Sequence, residues 1–149
     1  SGCMNVLIIV KSVHHDNTRK VAEAMASVLD AKVVIPADVD LNELSGYDLI
    51  GMGSGIYFGR HHRSLLKLAE RMSGFKGKVF IFSTAGLPFK MNHRALRERL
   101  KNSGLSINGE FVCKGWDSYG ILNVVGGIWK GNPDEKDLEN AREFARSLK

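Results

Sequence analysis

Cysteine is almost missing from this chain, and its scarcity excludes a disulfide framework: only Cys3 and Cys113 occur in 149 residues. A reducing compartment fits that usage. Long hydrophobic runs are missing too, so no segment approaches the length of a membrane span, and the apolar stretch near the start is a short strand without a cleavage site. The expected setting is the cytoplasm, not the interior of a bilayer. Ser1-Gly2 ahead of Met4 reads as a cloning scar and carries no structural weight.

Several signatures of chemistry are equally absent. There is no glycine-rich loop closing on Gly-Lys-Ser/Thr, and no Gly-x-Gly-x-x-Gly follows the first strand. Gly51-x-Gly53 lacks the third glycine and follows the wrong strand for a dinucleotide. No Gly-x-Ser-x-Gly elbow exists, which excludes the usual hydrolytic serine. The pairs His14-His15 and His61-His62 are consecutive, so their side chains diverge, and neither a nearby cysteine nor a His-x-x-x-His completes a metal site. His62 is better read as a cap on the helix that follows, and His14 as a neighbour of the first loop. The third strand ends in Gly53-Ser54 without the aspartate of a phospho-accepting receiver. Basic residues lack interleaved aromatics, so nucleic acid is not an expected partner.

What the chain does have is a regular alternation. At 149 residues, one domain over 1–149 is expected, long enough for a full core. Val6-Leu7-Ile8-Ile9-Val10 is an unbroken apolar run suited to a parallel strand covered on both faces. Val21, Ala24, Met25, Val28 and Leu29 then recur at helical spacing, predicting a helix over 17–29. Further strands are expected at 31–35, 47–53, 78–82 and 110–114. Between them, 41–46 suits only a short helix or turn, while 64–72 and 93–102 read as helices. Asn132-Pro133-Asp134-Glu135 combines an N-cap, a proline at the first helical position and a reaching acid. It opens a last helix whose buried side is Leu138, Ala141, Phe144, Ala145 and Leu148. Strands alternating with helices predict an α/β fold with a parallel sheet between two helical layers.

The loop between the first strand and helix, Ser12-Val13-His14-His15-Asp16-Asn17-Thr18, is rich in small hydroxyl and amide side chains. A helix N-terminus offers unpaired N–H groups and partial positive charge, so such a loop can cradle a phosphate; a plain Ser/Asn/Thr cap is the simpler reading. The third strand runs into Gly53-Ser54-Gly55-Ile56-Tyr57-Phe58-Gly59, where glycines permit close approach and Tyr57 offers an aromatic face. The simpler reading there is a bend with Tyr57 packed on the domain. The fourth strand leads into Ser83-Thr84-Ala85-Gly86, which alone is only a strand-ending turn.

In this order the three loops resemble those of the flavodoxin family, in particular short members reading Ser-x-His-His-Gly-Asn-Thr in the first. Asp16 stands where those members have glycine. Gly-Ser-Gly-Ile-Tyr-x-Gly followed by basic residues and histidine is also similar to menaquinone-dependent protoporphyrinogen dehydrogenases. The resemblance implies a flavodoxin-like three-layer sandwich with a five-stranded parallel sheet in order 2-1-3-4-5, and FMN at the carboxyl ends of the strands; flavodoxin is itself the standard example of that order. It further implies that Ser12, Val13, His14, His15, Asn17 and Thr18 grip the phosphate. Ser54, Gly55, Ile56 and Tyr57 would line the ring, with Ser83, Thr84, Ala85 and Gly86 at its polar edge and Trp116 alongside.

The formal charge of +5 is unusual for a plain electron carrier. Arg60, Arg63 and Lys67, and then Arg94, Arg97, Arg99 and Lys101, read either as solvated helix faces or as an attraction for an anionic substrate or surface. Reduced flavin carries negative charge at N1, so a positive surround raises its potential. From Trp116 to Gly131 a long apolar, glycine-rich segment forms either an apolar lip over the flavin, facing a hydrophobic substrate or a second subunit, or ordinary core. The expected function is FMN-dependent electron transfer between a reduced donor and either a protein partner or a small hydrophobic acceptor, such as a quinone or porphyrinogen. A homodimer is compatible with it. Whether the chain is an oxidoreductase or a carrier stays open, and the reading from another class is a non-redox α/β module binding a different phosphate or nothing.

Overall fold

The structure, a computed structural model, describes residues 4–13, 16–115 and 133–149. Strand β1 (Val6–Lys11) lies between β2 (Lys32–Val34) and β3 (Leu49–Tyr57), and pairs in parallel with both. Flanked on both sides and covered on both faces, it can carry an unbroken apolar sequence. β3 pairs next with β5 (Lys78–Ala85), and β5 with β6 (Ser106–Lys114), all in parallel. A two-residue β4 (Arg60–His61) folds back antiparallel on the end of β3. The five parallel strands therefore follow the expected order, with β4 as an addition.

Because successive strand residues face opposite sides, the sheet generates two cores. Leu7, Ile9, Ile50, Met52 and Ile81 meet Leu65 of α2 (Arg63–Ala69) and Leu96 of α3 (Arg94–Asn102) on one face. Val6, Ile8, Val10, Phe80 and Phe82 meet Val21 and Met25 of α1 (Asn17–Leu29) and Ala141 of α4 (Glu135–Ser147) on the other. The expected three layers result.

The structure departs from the sequence expectation mainly at the carboxyl ends of the strands. Gly53-Ser54-Gly55 is not a loop: Gly53, Ser54 and Gly55 stand in register with Phe82, Ser83 and Thr84, and β3 continues to Tyr57. β5 likewise runs through Ser83 and Thr84 to Ala85. Gly51 and Gly53, both within the expected strand, are packing positions, because a Cβ on either would overlap the ring of Phe80 or Phe82 respectively. α2 stops at Ala69 although Met72 remains buried beyond it. At α4 the cap is Asp134, whose side chain accepts from the Asp137 backbone N–H while Asp137 reaches back, so the box sits two residues later than an Asn132 cap would put it. Asn132 itself lies outside the described residues.

Candidate functional site

The carboxyl edge of the sheet gathers the three singled-out segments. Lys11, Ser54 and Ser83 are consecutive register partners across β1, β3 and β5, and Gly55, Thr84 and Cys113 form the next row. Ser12 follows directly from that edge. Its Oγ is buried and has no hydrogen-bond partner among the described residues, an arrangement that costs free energy unless a ligand or water completes it. Val13 is exposed, while His14 and His15 lie outside the described residues, as does Trp116.

Asp16 then takes the left-handed conformation at φ 53° and ψ 24°, which aspartate tolerates better than most residues. Its exposed side chain makes no cap hydrogen bond, and no acid lies in the first turn of α1. The N–H groups at the start of this 13-residue helix are thus left without a carboxylate cap. Asn17 and Thr18 are buried behind it. Thr18 Oγ1 lies 2.7 Å from Thr84 Oγ1, a buried contact between residues 66 apart in sequence that ties the first segment to the third. Gly115 closes the same corner: its N–H donates to the Ala85 carbonyl at 3.2 Å, and a Cβ on it would come within 3.0 Å of Thr84 Cβ and 3.2 Å of Asn17 Nδ2.

The second segment forms a hairpin rising from the rim. Ile56 and Tyr57 pair with His61 and Arg60 around Phe58 and Gly59, both at positive φ. Positive φ at both central residues is the geometry of a two-residue hairpin turn, where Asn-Gly is the favoured pair; here a phenylalanine occupies the first position, fully exposed. Tyr57 packs edge-on to His62 with ring centroids 5.3 Å apart. His62 caps α2 as expected, with Nδ1 accepting from the Ser64 backbone N–H at 3.1 Å. Ser54 Oγ accepts from the His62 N–H at 3.0 Å and donates to the Gly55 carbonyl at 2.6 Å, anchoring the hairpin's two legs to each other.

Beneath the rim, towards α3, lies a polar cluster that sequence reasoning missed. Ser83 Oγ sits 2.7 Å from His93 Nε2, and His93 Nδ1 sits 2.9 Å from Glu110 Oε1. Arg97 grips the same carboxylate with two bonds of 2.7 and 2.8 Å. The His61 ring lies 4.8 Å from that of His93, its Nε2 2.9 Å from the Phe82 carbonyl, while its Nδ1 is buried without a partner among the described residues. Burial, reinforced by the His93 charge it would face, drives the His61 pKa down to about 3. Burial also lowers that of His93, against the opposing pull of Glu110. Desolvation works against ionisation of Glu110, but hydrogen bonds from Arg97 and His93 outweigh it and hold the carboxyl below its ordinary value. Cys113 is no reactive thiol, since burial and then Asp137 push it up to about 12.

A family model for the flavodoxin domain matches residues 7–117. The chain belongs to the flavodoxin family. Its fold is similar to that of a flavodoxin from the domain Archaea, with a TM-score of 0.74 at 16% identity, covering 97% of this chain and 96% of that one. It is also similar to oxidised flavodoxin 2 from Bacillus cereus, with a TM-score of 0.69 at 19% identity and 97% of both chains covered. In sequence it is 48% identical over 147 residues to an uncharacterized protein of Methanocaldococcus jannaschii, covering 97% of this chain and 98% of that one. Family membership implies a flavin-dependent, flavodoxin-type redox protein. The flavodoxin edge of this chain fits such a group on its own evidence: a buried Ser12 hydroxyl without a partner among the described residues, beside a helix start that lacks a side-chain cap.

Proposed function

We propose that this flavodoxin-family chain binds FMN at the carboxyl edge of its sheet and passes electrons between a reduced donor and an acceptor that is either a protein or a small hydrophobic molecule such as a quinone or porphyrinogen. The observation that carries the reading is the buried Ser12 Oγ, without a hydrogen-bond partner among the described residues, beside the start of α1, which lacks a side-chain cap. A phosphate with its acceptor oxygens satisfies both, being held by a hydroxyl donor and by N–H groups at the positive end of the helix. FMN supplies the redox chemistry when bound, and the protein supplies position and field.

Each segment then has a defined task. Ser12, Val13, His14, His15, Asn17 and Thr18 hold the phosphate end, with Asp16 turned out to solvent so that its charge does not compete. The Thr18–Thr84 contact fixes the distance between that end and the segment Ser83 to Gly86. Ser54, Gly55, Ile56 and Tyr57 form the wall presented by the hairpin, and Trp116, next in sequence to Gly115, is assigned to the ring as well. Lys11 and Arg60 flank this edge and favour added negative charge there, which raises the reduction potential.

The test is a titration of the purified protein with FMN, following quenching of flavin fluorescence. Saturable quenching is expected, and Ser12→Ala is expected to weaken binding by about tenfold, the loss of one hydrogen bond to a charged group. A colourless preparation that never quenches FMN would sink the reading and favour a non-redox module.

A further inference from the structure

A second feature of the same edge is not accounted for by a flavin. Between the end of β1, the turn after β2 and the outer side of α2 lies a groove of about 300 Å³, the lower end of the range that takes small ligands. Lys11, Lys67 and Arg71 line it, with Ser64 between them and Ile35 and Pro36 on its apolar side. No carboxylate among the described residues lines it. None of the three cations forms an ion pair among the described residues, although the nearby Glu70 is engaged by Arg99. Like charges gathered around one cavity repel, and their field reaches further: Lys11 helps to lower the pKa of His62, after burial. Ile35, partly exposed, adds a branched apolar side chain to the groove wall.

We propose that this groove binds a small molecule bearing a phosphate monoester, or a comparable dianion, on an apolar body. The anionic group is held by Lys11, Lys67 and Arg71 and the body lies on Ile35 and Pro36. Its position is favourable for a reactant, because Lys11 immediately precedes Ser12, so the groove opens beside the rim where ligands of open α/β sheets collect. The site shares Lys11 with the flavin edge, but Lys67, Arg71, Ile35 and Pro36 are not among the residues assigned to hold FMN, so the groove can be tested apart from the flavin reading.

The test uses protein saturated with FMN, or protein alone if FMN does not bind, and follows backbone amide shifts during titration with phenyl phosphate and with inorganic phosphate. Saturable shifts at Ile35, Ala37, Lys67 and Arg71 are expected, with phenyl phosphate binding more tightly than inorganic phosphate. The double variant Lys67→Gln/Arg71→Gln is expected to weaken phenyl phosphate by about tenfold, as loss of two exposed charge contacts, without a lower melting temperature. A parallel arm floats the protein on phosphatidylcholine vesicles containing phosphatidic acid: binding abolished in the double variant assigns the phosphate to a lipid headgroup, and absence of flotation assigns it to a soluble molecule. Shifts confined to Ser12–Thr18, no saturation, or equal affinity in the double variant would overturn the proposal.

Discussion

At the scale of single residues, the buried histidines set the response to acid. His61 and His93 have pKa values lowered in the folded protein, so the unfolded chain binds protons that the folded one refuses. Their contribution to stability is therefore complete above the ordinary histidine value near 6.5 and is lost as the pH falls towards the folded value, about 3 for His61. Glu110, also depressed, adds a loss at lower pH in the same direction. Unfolding free energy measured by urea titration is expected to fall between pH 6.5 and 4, on the order of 1.4 kcal/mol for each pH unit from His61, with His93 adding to the loss in the same direction. His61→Phe is expected to flatten that limb, and an unchanged slope would show that the ring is accessible to protons when folded. A second residue prediction concerns Phe58, a bulky side chain at φ 54° left fully exposed by the described residues. Phe58→Asn is expected to stabilise the protein by about 1 kcal/mol, read as a raised melting temperature, because asparagine tolerates the left-handed region that phenylalanine enters at a cost.

At the scale of elements, the informative pair is β3 and β5. Gly51 and Gly53 leave room for Phe80 and Phe82 to lie across the neighbouring strand, filling the core beneath α1 and α4. Gly51→Ala forces that ring aside in a closely packed interior and is expected to cost about 1–3 kcal/mol in chemical denaturation. Loss below a few tenths would mean that the ring has free space to move into. The strand looked shorter in sequence than it is because Gly53-Ser54-Gly55 reads as a glycine-rich loop until its register with β5 is known. Periodicity alone placed α1 with its end residues correct, since thirteen residues of amphipathic repeat leave little latitude. β2, whose three paired residues alternate weakly, was placed only to within a residue at each end.

At the scale of the whole molecule, charge is unevenly shared. Residues 49–101 hold eleven Lys and Arg against Glu70 and Glu98, whereas the rest of the chain holds ten against fourteen acids. The positive half comprises the hairpin, α2, α3 and the strands between them, and the acid-rich helix α4 lies on the opposite face. Such a field steers encounters over about a Debye length and is screened by salt. With FMN bound, oxidation of the reduced protein by ferricyanide is expected to slow several-fold between low and physiological ionic strength, and oxidation by a cationic cobalt complex to quicken. Equal salt dependence for both in stopped-flow measurements would show that the basic half lies away from the site of electron exchange. No helix among the described residues is long and apolar enough to cross a membrane.

The order of strands and helices, the amphipathic faces of α1 and α4, the cap at His62 and the hydroxyl-rich first segment were determined locally: each is a pattern within a dozen residues, set by turn chemistry and by a period of two or 3.6. Only the tertiary structure decided that Thr18 meets Thr84, that His93 and Arg97 share Glu110, and that Lys11, Lys67 and Arg71 face one groove. Those contacts join residues from different strands and helices, and no local energy term distinguishes a histidine that will be buried against a glutamate from one that will cap a helix. Their geometry exists once parallel pairing has brought the carboxyl ends of β1, β3 and β5 to a single edge.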